Sequence, residues 1–230
     1  MGPIGATSPQ PTSPVSLTSQ VYDGLRADII AGKLKPALKL KVEELRKRYN
    51  VGASPVREAL SLLASDGLVD RIDQRGFRVA VVSAEDFADI LNVRCWLEER
   101  ALRESIKKGD AAWEEAVVLA FFRISKEPRS IGDKDHFVAN PEWERLHKEF
   151  HMQLISACGS PTLLEICDRL YDRNVRYRNL AGPVSYPKRD INSEHQDIMD
   201  ASLARDEDTA VERLIAHYQK TGGFLERKID

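Results

Sequence analysis

The clearest structural pattern in this chain lies at residues 32–80, GKLKPALKLKVEELRKRYNVGASPVREALSLLASDGLVDRIDQRGFRVA. It follows an amphipathic helix that begins at Leu17 and is expected to stop at the first glycine of the stretch. A second, short helix is predicted where Val42, Leu45 and Tyr49 recur at helical spacing. The pattern therefore starts with helices that each present one apolar face.

A third helix and a β-hairpin complete this pattern. The helix is predicted to start with Ser54 as its N-cap and Pro55 at its first position, since these residue types favour those places. Two β-type runs at 68–72 and 77–81 follow, joined by a polar turn at 73–76, as in a hairpin. Three short helices followed by a hairpin predict a winged helix-turn-helix.

Composition and periodicity divide the chain into three parts. Residues 1–16 are rich in Pro, Ser and Thr and carry no charged side chain, which predicts a disordered tail. Residues 17–81 form the winged helix-turn-helix pattern, and residues 84–230 show only helical periodicity, which predicts an all-α bundle. The helices of the bundle are predicted at about 84–107, 111–124, 141–158, 161–180, 190–204 and 207–226. The expected fold class is mainly α.

Bulk composition predicts a globular protein of the cytoplasm. The chain has 230 residues, of which 42% are apolar and 30% charged, enough for two domains of ordinary size. It contains neither a run of about 18 apolar residues nor a basic-then-apolar leader, so we expect no membrane span and no export. Its three cysteines form no CxxC pair, which favours reduced, buried thiols.

Charge is divided unequally between the two predicted domains. Residues 16–81 carry twelve Lys/Arg against eight Asp/Glu, whereas the remainder carries 22 against 28. A basic N-terminal domain is suited to a polyanion such as double-stranded DNA, with a helix in the major groove and the hairpin tip at the minor groove or backbone. The alternative is that these are ordinary solvated surface charges. The candidate DNA contacts are Arg46, Arg48, Ser54, Arg57, Ser61, Arg75 and Gly76.

The motif SPVREAL, followed by DGLV and RGFRV, resembles the DNA-binding domain of the GntR family of bacterial repressors. The resemblance spans about 65 residues and implies a homodimer on a palindromic operator. It also implies that Arg57 and the pair Arg75-Gly76 contact DNA. This sequence has Gly52-Ala53 where most relatives have Ser-Arg, so one usual basic contact is missing.

Four of the five histidines are predicted to face the interior of the bundle. His147 and His151 are four residues apart on one helix, and His195 and His217 lie on the apolar stripes of two later helices. A lone histidine on an apolar face is usually a satisfied core residue, but four need partners for eight ring nitrogens. One metal ion would serve all four, and His136 is expected to be an exposed bystander.

The stretches NVRCWLEERAL, FHMQLISACGSPTLLEI and EHQDIMDASLARDEDTA resemble the ligand-binding domain of the FadR-type GntR subgroup, over residues 84–230. Many members hold a metal with an Asp-x3-His pair and two later histidines. Here His147 occupies the position of the aspartate. Four neutral imidazoles favour zinc or nickel over manganese or magnesium, and they leave the charge of the ion uncompensated. The expected effector is therefore a small anionic metabolite such as a carboxylate.

Arginines supply candidate anchors for such an effector. Arg94 lies beside the apolar face of its helix, and the resemblance to members that bind acids with this arginine supports it as a second anchor beside the metal. The alternative is a simple ion pair with Glu98 four residues later. Arg173 and Arg178 are further candidates on the helix at 161–180.

Two other functions compete with an effector-controlled repressor. The segment His147-Lys-Glu-Phe-His151 is close to the HExxH pattern of zinc proteases, but Glu149 is two residues from either histidine. It should point away from a bound ion, so we expect no enzyme. The other alternative is a DNA-binding protein whose metal is purely structural.

Overall fold

The computed structural model describes residues 16–73, 75–132, 138–181 and 189–229. The predictions for residues 1–15, Gln74 and His136 lie outside the described residues. The N-terminal elements are α1 (Leu17–Ile30), β1 (Lys39–Leu40), α2 (Val42–Tyr49), α3 (Ala53–Ser65), β2 (Val69–Ile72) and β3 (Gly76–Val79). The C-terminal elements are α4 (Ala84–Lys108), α5 (Ala111–Lys126), α6 (Pro141–Leu154), α7 (Pro161–Ala181), α8 (Ile191–Leu203) and α9 (Glu207–Ile229).

The N-terminal elements form a winged helix-turn-helix, as the sequence predicts. The antiparallel sheet has the order β1-β3-β2, with Leu40 opposite Phe77 and Val69 opposite Val79. Strand β1 was not predicted because two residues are too few to show an alternating pattern. The core between the helices and the sheet contains Val21, Leu25, Ile29, Leu40, Leu45, Val56, Ala59, Leu60, Leu63, Leu68, Val69, Phe77 and Val79.

The start of α3 differs from the prediction. Asn50 ends α2 in the left-handed conformation (φ 52°), and Gly52 then serves as the N-cap in an extended conformation (ψ 173°). The helix begins at Ala53, so Ser54 is not the cap and Pro55 is the third helical residue. The geometry of the tight turn, rather than the side-chain chemistry of serine, sets this boundary.

The C-terminal helices α4–α9 pack around a second core, and Ser83 caps α4 by accepting a hydrogen bond from Asp86 N at 3.0 Å. Helix α6 is shorter than predicted, because Ile155 leaves the helical conformation (φ −100°, ψ 1°). A short 3-10 helix at Ser156–Cys158 replaces its last turn. Helix α6 therefore ends at Leu154, within one turn of His151.

Helix α7 contacts both domains. Its Asp172 forms an ion pair with Arg26 of α1, and Asn179 Nδ2 donates to the carbonyl oxygen of Ile30 at 2.9 Å. The opposite side of α7 packs on α4 and on the rest of the bundle. The winged helix-turn-helix domain is therefore attached to the helix that also forms part of the bundle interior.

Two findings bear on the chemistry of the chain as a whole. Among the described residues, no helix is both long enough and apolar enough to cross a membrane.

All three cysteines are free thiols and buried, as predicted. Burial raises the pKa of Cys95 to about 11 and that of Cys167 to about 12, so both are poor nucleophiles at neutral pH.

Candidate metal centre and nucleic-acid interface

Four buried histidines meet in the interior of the bundle, as the sequence predicts. His147 and His151 lie one turn apart on α6, His195 lies on α8 and His217 on α9. One ring nitrogen from each lies within 4.8 Å of the others. The Nε2 atoms of His147 and His151 are 3.2 Å apart, a separation that suits two ligands placed about 2.0–2.1 Å from one ion.

Hydrogen bonds orient the two imidazoles of α6. Tyr218 Oη donates to Glu98 Oε2 at 2.5 Å and therefore accepts from His151 Nδ1 at 2.9 Å. This leaves the lone pair of His151 on Nε2, which faces the cluster. Tyr171 Oη lies 2.5 Å from His147 Nδ1, a hydrogen bond in which either atom can be the donor. Such bonds to the outer ring nitrogen are the usual support of a metal-bound histidine.

The imidazole of His217 is held by a carboxylate. Its Nδ1 lies 2.8 Å from Glu194 Oε2, which accepts a hydrogen bond from it. The lone pair of His217 is then on Nε2. Arg189 bonds the same carboxylate and the backbone oxygen of His217. Burial opposes ionisation of Glu194, but the hydrogen bonds from His217 and Arg189 hold its pKa well below the usual range. Glu194 therefore carries a negative charge next to the cluster.

His195 is the residue that best tests whether the cluster suits a metal. Its side chain is completely buried, and neither of its ring nitrogens has a hydrogen-bond partner among the described residues. A buried, unsatisfied polar atom costs about 1–3 kcal/mol. A metal ion bound by the four histidines would satisfy at least one of these nitrogens, so the residues present fit such an ion.

Electrostatics keep these imidazoles neutral. Burial lowers the pKa of His147, His151 and His195 well below its ordinary value, and it lowers that of His217 to about 4. Mutual repulsion within the cluster adds to the effect. The four rings are therefore unprotonated at neutral pH, which is the state that binds metal.

Arg94 forms the predicted ion pair with Glu98, but this pair does not use all the N–H groups of the Arg94 guanidinium. Arg94 Nε donates to Glu98 Oε1 at 2.6 Å, and Nη1 donates to Asn174 Oδ1 at 3.1 Å. The guanidinium carbon lies 3.9 Å from the ring centre of Tyr218 and 4.9 Å from that of Tyr171. Nη2 is buried and has no hydrogen-bond partner in the part of the chain that the structure describes. The alternatives are thus compatible, because one arginine can pair with Glu98 and still present a free N–H group.

The other two candidate arginines lie in different places. Arg178 pairs with Glu144 and, with burial and His151, contributes to lowering the pKa of His147, so its charge lies close to the cluster. Arg173 pairs with Asp86 at 2.8 Å, where α7 meets the start of α4. The structure brings Arg94 and Arg178 to the histidines and does not bring Arg173 to them.

Sequence reasoning missed the groups that orient the histidines: Tyr171, Tyr218 and Glu194. Tyr218 follows His217 directly, yet its hydroxyl bonds His151, which is 67 residues away. Tyr171 is likewise 24 residues from His147. Adjacent residues on a helix point about 100° apart, so no local spacing pairs these groups.

The predicted DNA-contacting residues of α3 and of the hairpin are exposed, except for Ser61, which is half-buried. Arg57 is exposed and has no hydrogen-bond or ion-pair partner within the described part of the chain. Ser54 and Ser61 lie with it around a shallow depression of about 480 Å³. Arg75 and Gly76 are exposed where β2 turns into β3, and Gly76 has a φ of 97° that favours glycine. These groups are available to an external partner.

The two predicted contacts on α2 are less available. Arg46 donates to Glu43 at 2.8 Å, and Arg48 forms an ion pair with Asp28 of α1. The side chain of Arg48 is still 50% exposed. Both charges are partly compensated within the domain, so a phosphate would have to compete with a carboxylate for them.

The structure also places the glutamate of the protease-like segment. Glu149 bonds Arg123 at 2.8 Å and Arg145 at 2.9 Å on the outer side of α6. His147 and His151 point into the bundle from the opposite side of the helix. Glu149 is therefore not placed to act as a general base at the cluster.

A winged helix-turn-helix whose third helix exposes Arg57, joined to an all-α bundle with four buried histidines, is typical of DNA-binding transcriptional regulators. Residues 17–79 match the family described as bacterial regulatory proteins, gntR family, and residues 89–220 match the FCD domain. This chain therefore belongs to the GntR family and carries an FCD domain.

Relatives agree with this assignment. The uncharacterized HTH-type transcriptional regulator BphR of Paraburkholderia xenovorans is 39% identical over 216 residues, covering 93% of this chain and 87% of that protein. The HTH-type transcriptional repressor GlaR of Escherichia coli is 34% identical, covering 85% and 90%. The structure of E. coli McbR/YncC shares the fold, with a TM-score of 0.78 at 20% identity over 94% of this chain and 100% of that one. The family is one of transcriptional regulators and not of enzymes.

The buried pair of Arg94 and Glu98 generates a stability prediction. We expect Glu98→Ala to lower the free energy of unfolding by about 3–5 kcal/mol, because it leaves the Arg94 charge buried without its carboxylate. Urea denaturation followed by circular dichroism measures the change. Glu104→Ala on the same helix is the matched control, since Glu104 pairs with the exposed side chains of Arg100 and Lys108. Equal effects of the two substitutions would contradict the prediction.

Proposed function

We propose that this regulator is a repressor that binds operator DNA as a homodimer and responds to a small carboxylate at a transition-metal site in the FCD domain. The single observation that supports the site most strongly is the pair of unpartnered ring nitrogens on the fully buried His195. These nitrogens lie among three imidazoles whose outer nitrogens are already bonded. A core that needed no ion would satisfy or replace His195.

Zinc and nickel are the metals that suit this set of ligands. All four donors are imidazole nitrogens, which favour these ions over the oxygen-preferring magnesium and manganese. No carboxylate is among the four, so the positive charge of the ion is not compensated by its own ligands. The Glu194 carboxylate behind His217 offsets part of that charge from outside the ligand set.

A small anion is the effector that best matches the surrounding charges. Arg94 presents the unpartnered Nη2 in the same interior, and both Arg94 and His151 contact the hydroxyl or ring of Tyr218. Arg178 adds a second positive charge close to the histidines. A carboxylate there would gain a charge-assisted hydrogen bond from Arg94 and attraction to the ion.

Contacts next to the cluster offer a route to the DNA-binding domain. Lys148 follows His147 on α6, and Asp172 follows Tyr171 on α7; Lys148 Nζ bonds Asp172 Oδ1 at 2.9 Å. The same carboxylate pairs with Arg26 of α1. A ligand that shifts α6 relative to α7 would change this pairing, and with it the position of the recognition helix. Allosteric coupling of this kind is typically about 1–3 kcal/mol.

A purely structural metal is the second candidate function for the site. The number of ligands favours it, because four protein ligands can fill every position of a tetrahedral ion, as in structural zinc sites. In that case the FCD domain would need the ion only for folding. The unpartnered Nη2 of Arg94 favours the effector site instead.

Arg57 is predicted to contribute directly to operator binding. We expect Arg57→Ala to weaken binding by about 1–3 kcal/mol, because the free guanidinium on α3 is placed to contact a base edge. Fluorescence anisotropy on a duplex selected by the protein from a random pool, at fixed salt, measures the affinity. Arg213→Ala, an exposed arginine on α9, serves as the control. Unchanged affinity for Arg57→Ala in a folded protein would remove Arg57 from the DNA contacts.

Metal content tests the histidine cluster. We expect about one zinc or nickel ion per chain after purification without a nickel column and reconstitution, measured by elemental analysis. His195→Ala should lose most of this metal, whereas His136→Ala should retain it. Circular dichroism establishes that both variants are folded. Equal metal content in the two variants, or no uptake by the unaltered protein, would exclude the proposed ligand set.

Titration of a panel of small carboxylates into the metal-loaded protein tests the effector. We expect one of them to change operator affinity, and Arg94→Lys to weaken its binding about ten- to hundredfold. Lysine keeps the charge next to Glu98 but loses the second N–H group. Arg173→Ala, which removes an arginine outside the cluster, should leave binding unchanged.

The outcomes of this titration separate the hypotheses. A carboxylate that binds without changing operator affinity would contradict regulation and leave the binding site in place. A metal-loaded, stable protein that binds no carboxylate would support the structural metal.

A further inference from the structure

The outer face of α5 is an unusual surface for a bundle helix. Its inner side is buried by Trp113, Val117, Ala120 and Ile124. On the other side Val118, Leu119 and Phe122 are 45%, 47% and 56% exposed. They are neighbours at helical spacing and form one continuous apolar patch. Such a patch on a soluble domain marks an interaction surface.

Trp96 on α4 is the most exposed large apolar residue in the described part of the chain, but its surroundings differ from those of the α5 patch. Trp96 on α4 is 68% exposed, but the flanking positions on the same side of α4 are the exposed polar residues Asn92 and Arg100. An isolated exposed apolar residue needs no partner to explain it. The α5 patch is different because three apolar side chains adjoin one another, and Leu203 of α8 lies at its edge.

Charges at the two ends of the α5 patch indicate what covers it. Glu115 lies one turn before Val118, and Lys126 lies one turn after Phe122; both are exposed. Neither forms an ion pair within the part of the chain that the structure describes. They are about 16 Å apart along the helix, with the apolar residues between them. The surface is thus negative at one end, apolar in the middle and positive at the other.

We propose that the outer face of α5 is the surface through which two copies of this chain associate, with the two helices antiparallel about a twofold axis. In that arrangement Glu115 meets the partner's Lys126 while Leu119 meets the partner's Phe122, and both contacts occur twice. Parallel helices would instead bring like charges together. A twofold interface must be self-complementary. The α5 patch meets this condition because its negative end faces the positive end of the second copy. The inference rests on the homodimer proposed above and assigns it a surface.

A charge exchange tests the antiparallel arrangement. The metal-replete, full-length chain is examined without DNA by analytical ultracentrifugation at low salt. We expect a dimer for the unaltered protein and about a tenfold higher dissociation constant for Glu115→Lys or Lys126→Glu, because each substitution replaces two attractions with two repulsions. The double substitution should restore the dissociation constant towards its original value. Failure of the double variant to recover would overturn the antiparallel pairing.

An apolar substitution tests the surface without relying on charge pairing. Phe122→Asp should produce a monomer that keeps the circular dichroism and metal content of the unaltered protein, whereas Trp96→Ser should remain dimeric. A monomeric unaltered protein would contradict both the homodimer and the surface. A dimer that survives Phe122→Asp would contradict only the surface, and loss of the dimer in Trp96→Ser alone would assign it to α4.

Discussion

The burial of four imidazole rings in one apolar core is the constraint on which the FCD domain depends. A buried ring nitrogen must be bonded, at a cost of about 1–3 kcal/mol if it is not. Tyr171, Tyr218 and Glu194 meet this requirement on the outer side of three rings. They come from α7, α9 and α8, so most of the bundle is organised around the histidines. What the bundle leaves unsatisfied is the centre of the cluster, where an ion fits.

The same requirement extends to the charges next to the cluster. Glu98 accepts hydrogen bonds from Tyr218 and Arg94, and the Arg94 guanidinium lies against two tyrosine rings. Removing water from such a pair is costly and is offset only when the hydrogen bonds are complete. Arg94 does not fully meet that condition, because its Nη2 has no hydrogen-bond partner among the described residues. A buried cation that keeps an N–H group unpaired among the described residues is the kind of environment in which an anionic ligand binds well.

Helix α7 contacts both the histidine cluster and the DNA-binding domain. One residue, Tyr171, bonds a histidine of the cluster, and the next, Asp172, bonds Arg26 of the first helix of the DNA-binding domain. Successive residues on a helix point about 100° apart, so one turn of α7 faces both the interior and the neighbouring domain. Within the DNA-binding domain, ion pairs occupy the arginines of α2, whereas Arg57 of α3 has no such pair among the described residues.

The helices, the hairpin and the inward-facing histidines could be predicted from the amino-acid sequence alone. These features repeat at 3.6 or 2 residues, or lie four residues apart on one helix, and such periods are local properties of the chain. The start of α3, the pairing of β1 with the sheet, and the positions of Arg94 and Arg178 near the histidines and of Arg173 away from them depend on the folded structure. It also decided which residues orient the imidazoles. Those outcomes depend on contacts between residues far apart in sequence, whose directions follow from helix packing and from no spacing along the chain.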